Sequence, residues 1–225
     1  MSDGRDKVWA PLLAGTPGEG TAMEVLLARH PQVAANVTGA FVGTGESPFT
    51  DLGRAQASDL VGAIAKWGPS AVHASPRARA RVVGEDVARV GNVELLVDEE
   101  LAEIDFGAAE GLTYDQAKLR GVDIDLLGGP SESAPFKEGE TWRAFAERVG
   151  RAAARIEAGG PRIAVVTHGG VVRALLTHWL DVPPGSAWRF AVANASIATL
   201  TLHGGHGTLR TFGELPGGCD WGLGL

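Results

Sequence analysis

The sequence predicts an α/β protein, a three-layer αβα sandwich whose mainly parallel central sheet carries helices on both faces. Two observations lead to it: short apolar runs rich in branched residues alternate with segments of helical periodicity, and glycine or proline punctuates the junctions between them. The 225 residues suffice for one sizeable core and are short for two, and 44% apolar with 21% charged residues is ordinary globular composition.

In chain order, Glu24–Ala28 (EVLLA) suits a strand buried on both faces. A glycine-spotted loop follows through Thr50. Apolar residues at Ala57, Leu60, Val61 and Ile64 form a helical stripe over 52–67 that Gly68-Pro69 stops. Ser70–Ser75 reads as a second strand, and Ser75-Pro76 opens a helix over 77–90. Asn92–Val97 is a weaker strand. The spacing of Trp142, Phe145, Val149, Ala152 and Ile156 gives an amphipathic helix from Thr141, ended by Gly159-Gly160-Pro161. Arg162–Thr167 (RIAVVT) is the clearest buried strand, Val171–Leu180 the helix after it, and Ala195–Leu202 alternates like a final strand. The expected division is a flexible extension over 1–22, one domain over 23–212 and a glycine-rich tail over 213–225.

Three of these strands run into a basic or histidine-bearing turn: EVLLA into Arg29-His30, SAVHAS into Arg77 and Arg79, and RIAVVT into His168-Gly169-Gly170. Parallel strands place all three turns on one sheet edge, where α/β proteins bind ligands. The crevice so formed combines arginines, whose planar fork matches phosphate oxygens, with a glycine-rich helix start whose N–H groups and dipole favour an anion. The expected ligand is a phosphate.

These blocks resemble the histidine phosphatase superfamily, the phosphoglycerate-mutase-like proteins. Arg29-His30 resembles its Arg-His-Gly signature, with Asn36 at the usual distance beyond. Ser47-Pro48-Phe49-Thr50, Gly53 and Gln56-Ala57 resemble its next segment, Ser75-Pro76 with Arg79-Ala80 its second block, and LAEIDFGAAEG (101–111) its acid-bearing block. His168-Gly169-Gly170 with Arg173 resembles its last, and Gly139-Glu140 and Asn194-Ala195-Ser196 are minor matches. The resemblance implies phosphomonoester hydrolysis through a covalent phosphohistidine. His30 is then the nucleophile and Glu103 the proton donor. Arg29, Arg79, Asn36, Gly169 and a protonated His168 hold the phosphate. It implies no metal and no cofactor. Asp105 or Glu110 is the alternative acid, and Arg77 is a solvated or orienting residue.

The sequence departs from the pattern where Pro31 stands for the signature glycine, removing an N–H and fixing φ beside the nucleophile. Two other readings follow: a phosphoglycerate-type mutase, disfavoured by the short stretch between Gly111 and Gly139, and a non-catalytic phospho-ligand-binding homologue. Leu112–Lys137 is expected to be a polar substrate wall with some apolar content, accepting small phosphorylated metabolites.

The remaining features are mostly exclusions. A net charge of −7 argues against nucleic acid as a partner. The single Cys219 forbids an intrachain disulfide and a cysteine zinc site. Residues 1–22 read as neither signal nor membrane anchor, so a cytoplasmic location is expected. A homo-oligomer is compatible with the sequence. His73 reads as a hydrogen-bonded structural histidine, and a metal site at His203 and His206 is disfavoured.

Overall fold

The protein is described by a computed structural model over residues 22–122 and 136–217. The expected extension, apart from Ala22, and the last eight residues of the expected tail lie outside the described residues.

Six strands form one sheet in the order β3-β2-β4-β1-β5-β6. They are β1 (Met23–Arg29), β2 (Ala71–Ala74), β3 (Glu94–Val97), β4 (Arg162–Thr167), β5 (Ile197–His203) and β6 (His206–Glu214). The first four in the spatial order are parallel, whereas β5 runs antiparallel to both β1 and β6. The sheet is thus mixed, with an antiparallel hairpin at one edge.

Alternation within the central strands produces the three layers, because successive side chains leave opposite faces. Val25, Leu27, Ile163 and Val165 pack on one side against α5 (Trp142–Glu157) and α6 (Gly169–Trp179). Leu26, Ala28, Ala164 and Val166 pack on the other against α2 (Asp51–Trp67) and α3 (Ala78–Gly91). Two short helices, α1 (Ala34–Thr38) and α4 (Tyr114–Leu119), lie in the connections. Capping explains the main boundaries. Thr50 accepts from the Gly53 N–H and Thr141 from that of Ala144, satisfying donors with no intrahelical partner. Gly68 ends α2 in the left-handed conformation.

Strand β6 was not expected. Gly204 and Gly205, both with positive φ, turn the chain back from β5, and the sparse apolar residues of HGTLRTFGE suit a half-exposed edge rather than a buried run. The expected domain limit at 212 therefore falls inside a strand. The anticipated strand from Ala195 starts two residues later because Ala195 has φ +57°, which breaks extended pairing. Asn92 likewise caps α3 in the left-handed conformation and delays β3 to Glu94. Helices α1 and α4 escaped notice because one turn or two shows no periodicity.

Candidate active site

Strand register assembles the core of the site. Arg29 pairs with Thr167 across the parallel β1/β4 ladder, so the next residues, His30 and His168, emerge side by side at the same edge. The His30 N–H donates to the Thr167 carbonyl at 2.8 Å, and the two imidazoles meet edge to face with centroids 5.2 Å apart. Ser75, following β2, brings its hydroxyl to 2.6 Å from His168 Nε2. Three turns separated in sequence thus converge on one edge.

His30 Nδ1 lies 2.7 Å from the Pro31 carbonyl oxygen. A carbonyl only accepts, so Nδ1 carries the proton, and in the neutral ring Nε2 holds the lone pair. Burial, then the charges of Arg29 and Arg79, push this imidazole well below the usual histidine range. The geometry also answers the Pro31 anomaly: the bond orienting His30 uses the residue's carbonyl, which proline retains.

His168 is fully buried and does not line the cavity in front of His30. Burial, His30 and the arginines hold it, too, well below the usual histidine range. The expected protonated His168 is therefore corrected to a neutral ring in the pocket as it stands. Its Nδ1 has no partner among the described residues.

Arg29, Arg79 and Arg173 bring three guanidinium groups to the cavity wall. Arg29 donates from Nη1 to the Val192 carbonyl at 2.6 Å, while its buried Nε has no partner among the described residues. Burial lowers its pKa to about 10, opposed by Glu103 and assisted by Arg173 and Arg79. Arg79 is 2% exposed, and its Nη groups donate to the carbonyls of Val42, Gly43 and Gly45 at 2.8–3.0 Å. Glu110 holds the same loop from the other side, accepting from the N–H groups of Gly43 and Thr44 at 2.9 and 3.0 Å. A side chain at Gly43 would collide with the Ile104 carbonyl, its Cβ only 2.0 Å away. Glu110 is thus a loop anchor and lies off the cavity wall, which removes it as an alternative acid.

Glu103 does line the cavity, and its carboxylate accepts from the Gly170 N–H at 3.1 Å, at the first turn of α6. Free N–H groups and the helix dipole favour an anion there. A side chain at Gly170 would push the Glu103 carboxylate from this position, since its Cβ would lie 2.3 Å from Oε1. Gly169 is also on the wall, with no room for a side chain to spare beside Arg173 and Arg29. Asn36 and Asn194 also line the cavity: Asn36 Oδ1 accepts from the Val33 N–H and from Asn194 Nδ2, which also donates to the His30 carbonyl. Arg77 caps α3 away from this wall. Asp105 also lies off it, accepting from the Gly107 N–H at 2.8 Å.

Behind Glu103, Arg148 of α5 uses all five guanidinium donors. Two reach the Glu140 carboxylate at 2.7 and 2.9 Å, and three reach the carbonyls of Glu100, Ala102 and Glu103 at 2.7–3.1 Å. One side chain therefore clamps the backbone that carries the carboxylate. Among the described residues no group of three His, Cys, Asp or Glu side chains is placed to hold a metal ion. No described helix is long and apolar enough to cross a membrane.

A family model described as histidine phosphatase superfamily (branch 1) matches residues 25–215. The chain belongs to the histidine phosphatase superfamily. A bifunctional protein of Mycobacterium tuberculosis is 31% identical over 81% of this chain, which spans only 51% of that relative. An acid phosphatase of the same organism is 32% identical over 84% of this chain and 91% of its own. The crystal structure of an α-ribazole phosphatase from Shigella flexneri superposes with a TM-score of 0.77 at 26% identity, covering 88% of this chain and all of that one.

Within this superfamily member the resemblance assigned no role to Arg173, Arg148 or Asn194. Arg173 stands one helical turn beyond Gly169-Gly170, a spacing that returns it to the same face of α6. That signal was available. The contacts of Arg148 with a loop some 45 residues away leave no local signature. His73, expected to be hydrogen-bonded, is buried with Nδ1 unpartnered among the described residues.

Proposed function

We propose that the site hydrolyses phosphate monoesters of small molecules through a phosphohistidine at His30. The observation that carries this reading is the bond from His30 Nδ1–H to the Pro31 carbonyl in a ring kept neutral by burial and arginines, which leaves Nε2 as a fixed nucleophile.

In the first step the Nε2 lone pair forms the N–P bond as the ester P–O bond breaks. The Glu103 carboxylate takes up a proton together with the incoming phosphate ester and passes it to the departing oxygen, giving the alcohol. Arg29, Arg79 and Arg173 hold the phosphoryl oxygens, on which transition-state charge accumulates. His168 offers its unpartnered Nδ1 from behind the wall, and an arriving phosphate dianion offsets the arginine charges that, after burial, hold this ring well below the usual histidine range. In the second step the Glu103 carboxylate takes a proton from water, whose oxygen attacks phosphorus and releases His30 with inorganic phosphate. For Arg79 to contribute, part of its grip on the 42–45 loop must be exchanged for phosphate oxygens. The relative named as an acid phosphatase is 32% identical, against 26–28% for relatives named as phosphoglycerate mutase or mutase-like, which favours hydrolysis over a mutase outcome. The lone cysteine supports a reducing, cytoplasmic setting.

A panel of phosphomonoesters assayed in the presence of chelator, with His30→Ala as control, tests the proposal. Turnover lost in the variant supports it; equal turnover in both proteins excludes a role for His30.

A further inference from the structure

We infer that the alcohol portion of the substrate is bulky, flat, apolar and uncharged, so that the site selects phosphate monoesters of aryl-bearing alcohols. This rests on the phosphomonoesterase reading above. The cavity in front of His30 encloses about 690 Å³, far more than a phosphate group fills, and extends along the groove between α5 and α6. Phe41 and Phe106 line it with partly exposed rings, backed by the fully buried Phe136, which meets Phe106 edge-on at 4.8 Å. Trp142 and Trp188 add two indoles with centroids 6.0 Å apart.

The placement of charge points the same way. Among the described residues the ionised side chains on the wall are Arg29, Arg79, Arg173 and Glu103, all members of the phosphate and proton-transfer cluster; apart from His30, His178 is the other titratable group. Arg173 is further committed, its Nε donating to the Phe190 carbonyl at 2.9 Å and its guanidinium lying 5.1 Å over Trp188. Among the described residues of the wall, a carboxylate on the alcohol portion would find no lysine or further arginine, and an ammonium only the carboxylate needed for proton transfer. Burying either charge without a counter-ion is costly, whereas an aryl group gains by leaving water for aromatic walls. Of the segment expected to be a polar wall with some apolar content, Leu112, Ala117 and Val122 pack with Phe136 behind the cavity, and 123–135 lies outside the described residues.

The test compares the intact protein's affinity for 2-(1-naphthyl)ethylphosphonate and ethylphosphonate by calorimetry, since neither can be hydrolysed. The naphthyl compound should bind at least ~30-fold more tightly, as burial of a bicyclic ring implies. Equal affinities would overturn the inference. Trp188→Ala, at a position already 38% exposed, and Phe106→Ala should each shrink that ratio at least ~3-fold. A ratio unchanged in both folded variants would show that these walls do not select the ligand. The matching esters, with alkoxide leaving groups of similar reactivity, supply the kinetic arm: kcat/KM should favour naphthylethyl over ethyl and over 3-phosphoglycerate. Retained phosphonate selectivity with no ester turned over would defeat the hydrolase reading while leaving the ligand class supported; turnover with 3-phosphoglycerate preferred would do the reverse.

Discussion

At the His30 end of the cavity, two imidazoles, three guanidinium groups and a carboxylate are held by carbonyls, a serine hydroxyl and the first turn of α6, close to the ends of β1, β2 and β4. At the Phe106 end the walls are aromatic rings from the 41–46 and 106–111 loops, Phe136, α5 and the 184–189 turn, with the ionised groups left behind. In the first region sheet register places Arg29 and the two histidines, while Arg79 and Arg173 come from the helices that follow β2 and β4 and Glu103 from a loop. The second is assembled from connections and is free to differ without disturbing the chemistry. On the proposed function, the difference separates reaction from selectivity within one cavity.

Substitutions should break this division in a definite order. His30→Ala is expected to reduce kcat by at least ~10⁴-fold, because no neighbouring group replaces the nucleophile; steady-state kinetics and an unchanged melting temperature would check it. Glu103→Gln should cost ~10²–10³ in kcat and more for poor leaving groups than for good ones. An equal loss for both would mean that Glu103 only supports the fold.

Arg148 sharpens the comparison because it acts on the reaction end without touching the cavity. Arg148→Lys keeps the charge but cannot make the five hydrogen bonds of the guanidinium. It should lower kcat roughly 10-fold with KM nearly unchanged, and its effect should shrink when combined with Glu103→Gln. Full additivity of the two would show that Arg148 does not act through Glu103.

Smaller effects follow from protonation. A histidine with an ordinary pKa of 6.5 would lose its nucleophilic form below that pH, but His30 is held well below it. Its acid limb in kcat/KM should therefore lie well under pH 6.5, while loss of Arg29 charge should depress activity near pH about 10. Stability carries the complementary sign. Below pH 6.5 the unfolded chain binds protons at His30 and His168 that the folded chain resists, so stability should fall as pH drops. Urea titrations at several pH values would measure the slope, which His168→Asn should reduce.

How much of this was legible in the sequence differs between the same two regions. Buried strands announce themselves by continuous apolar runs, and the residues that follow them are fixed by topology, so Arg29, His30, Arg79, His168 and Gly169 were readable before the structure. Glu103 and Asn36 were reached through the resemblance, since neither lies at a strand end. The structure changed details that depend on hydrogen bonding. His30 Nδ1 meets the Pro31 carbonyl, which proline retains, and burial, followed by the nearby arginines, holds His168 well below the usual histidine range. Strand β6 and the left-handed start at Ala195 lacked a hydrophobic signature. The aromatic cavity could not be anticipated at all: Phe41, Phe106 and Phe136 are isolated in the chain, and only the fold brings their rings together.

The most direct test is an acid-free rapid quench of the protein turning over a phosphomonoester, followed by peptide mapping by mass spectrometry. The account predicts a phosphorylated peptide with the group on His30, formed and consumed at rates sufficient for turnover and absent from His30→Ala. Steady hydrolysis with no phosphorylated His30 at any time, or an equally active His30→Ala protein, would contradict it.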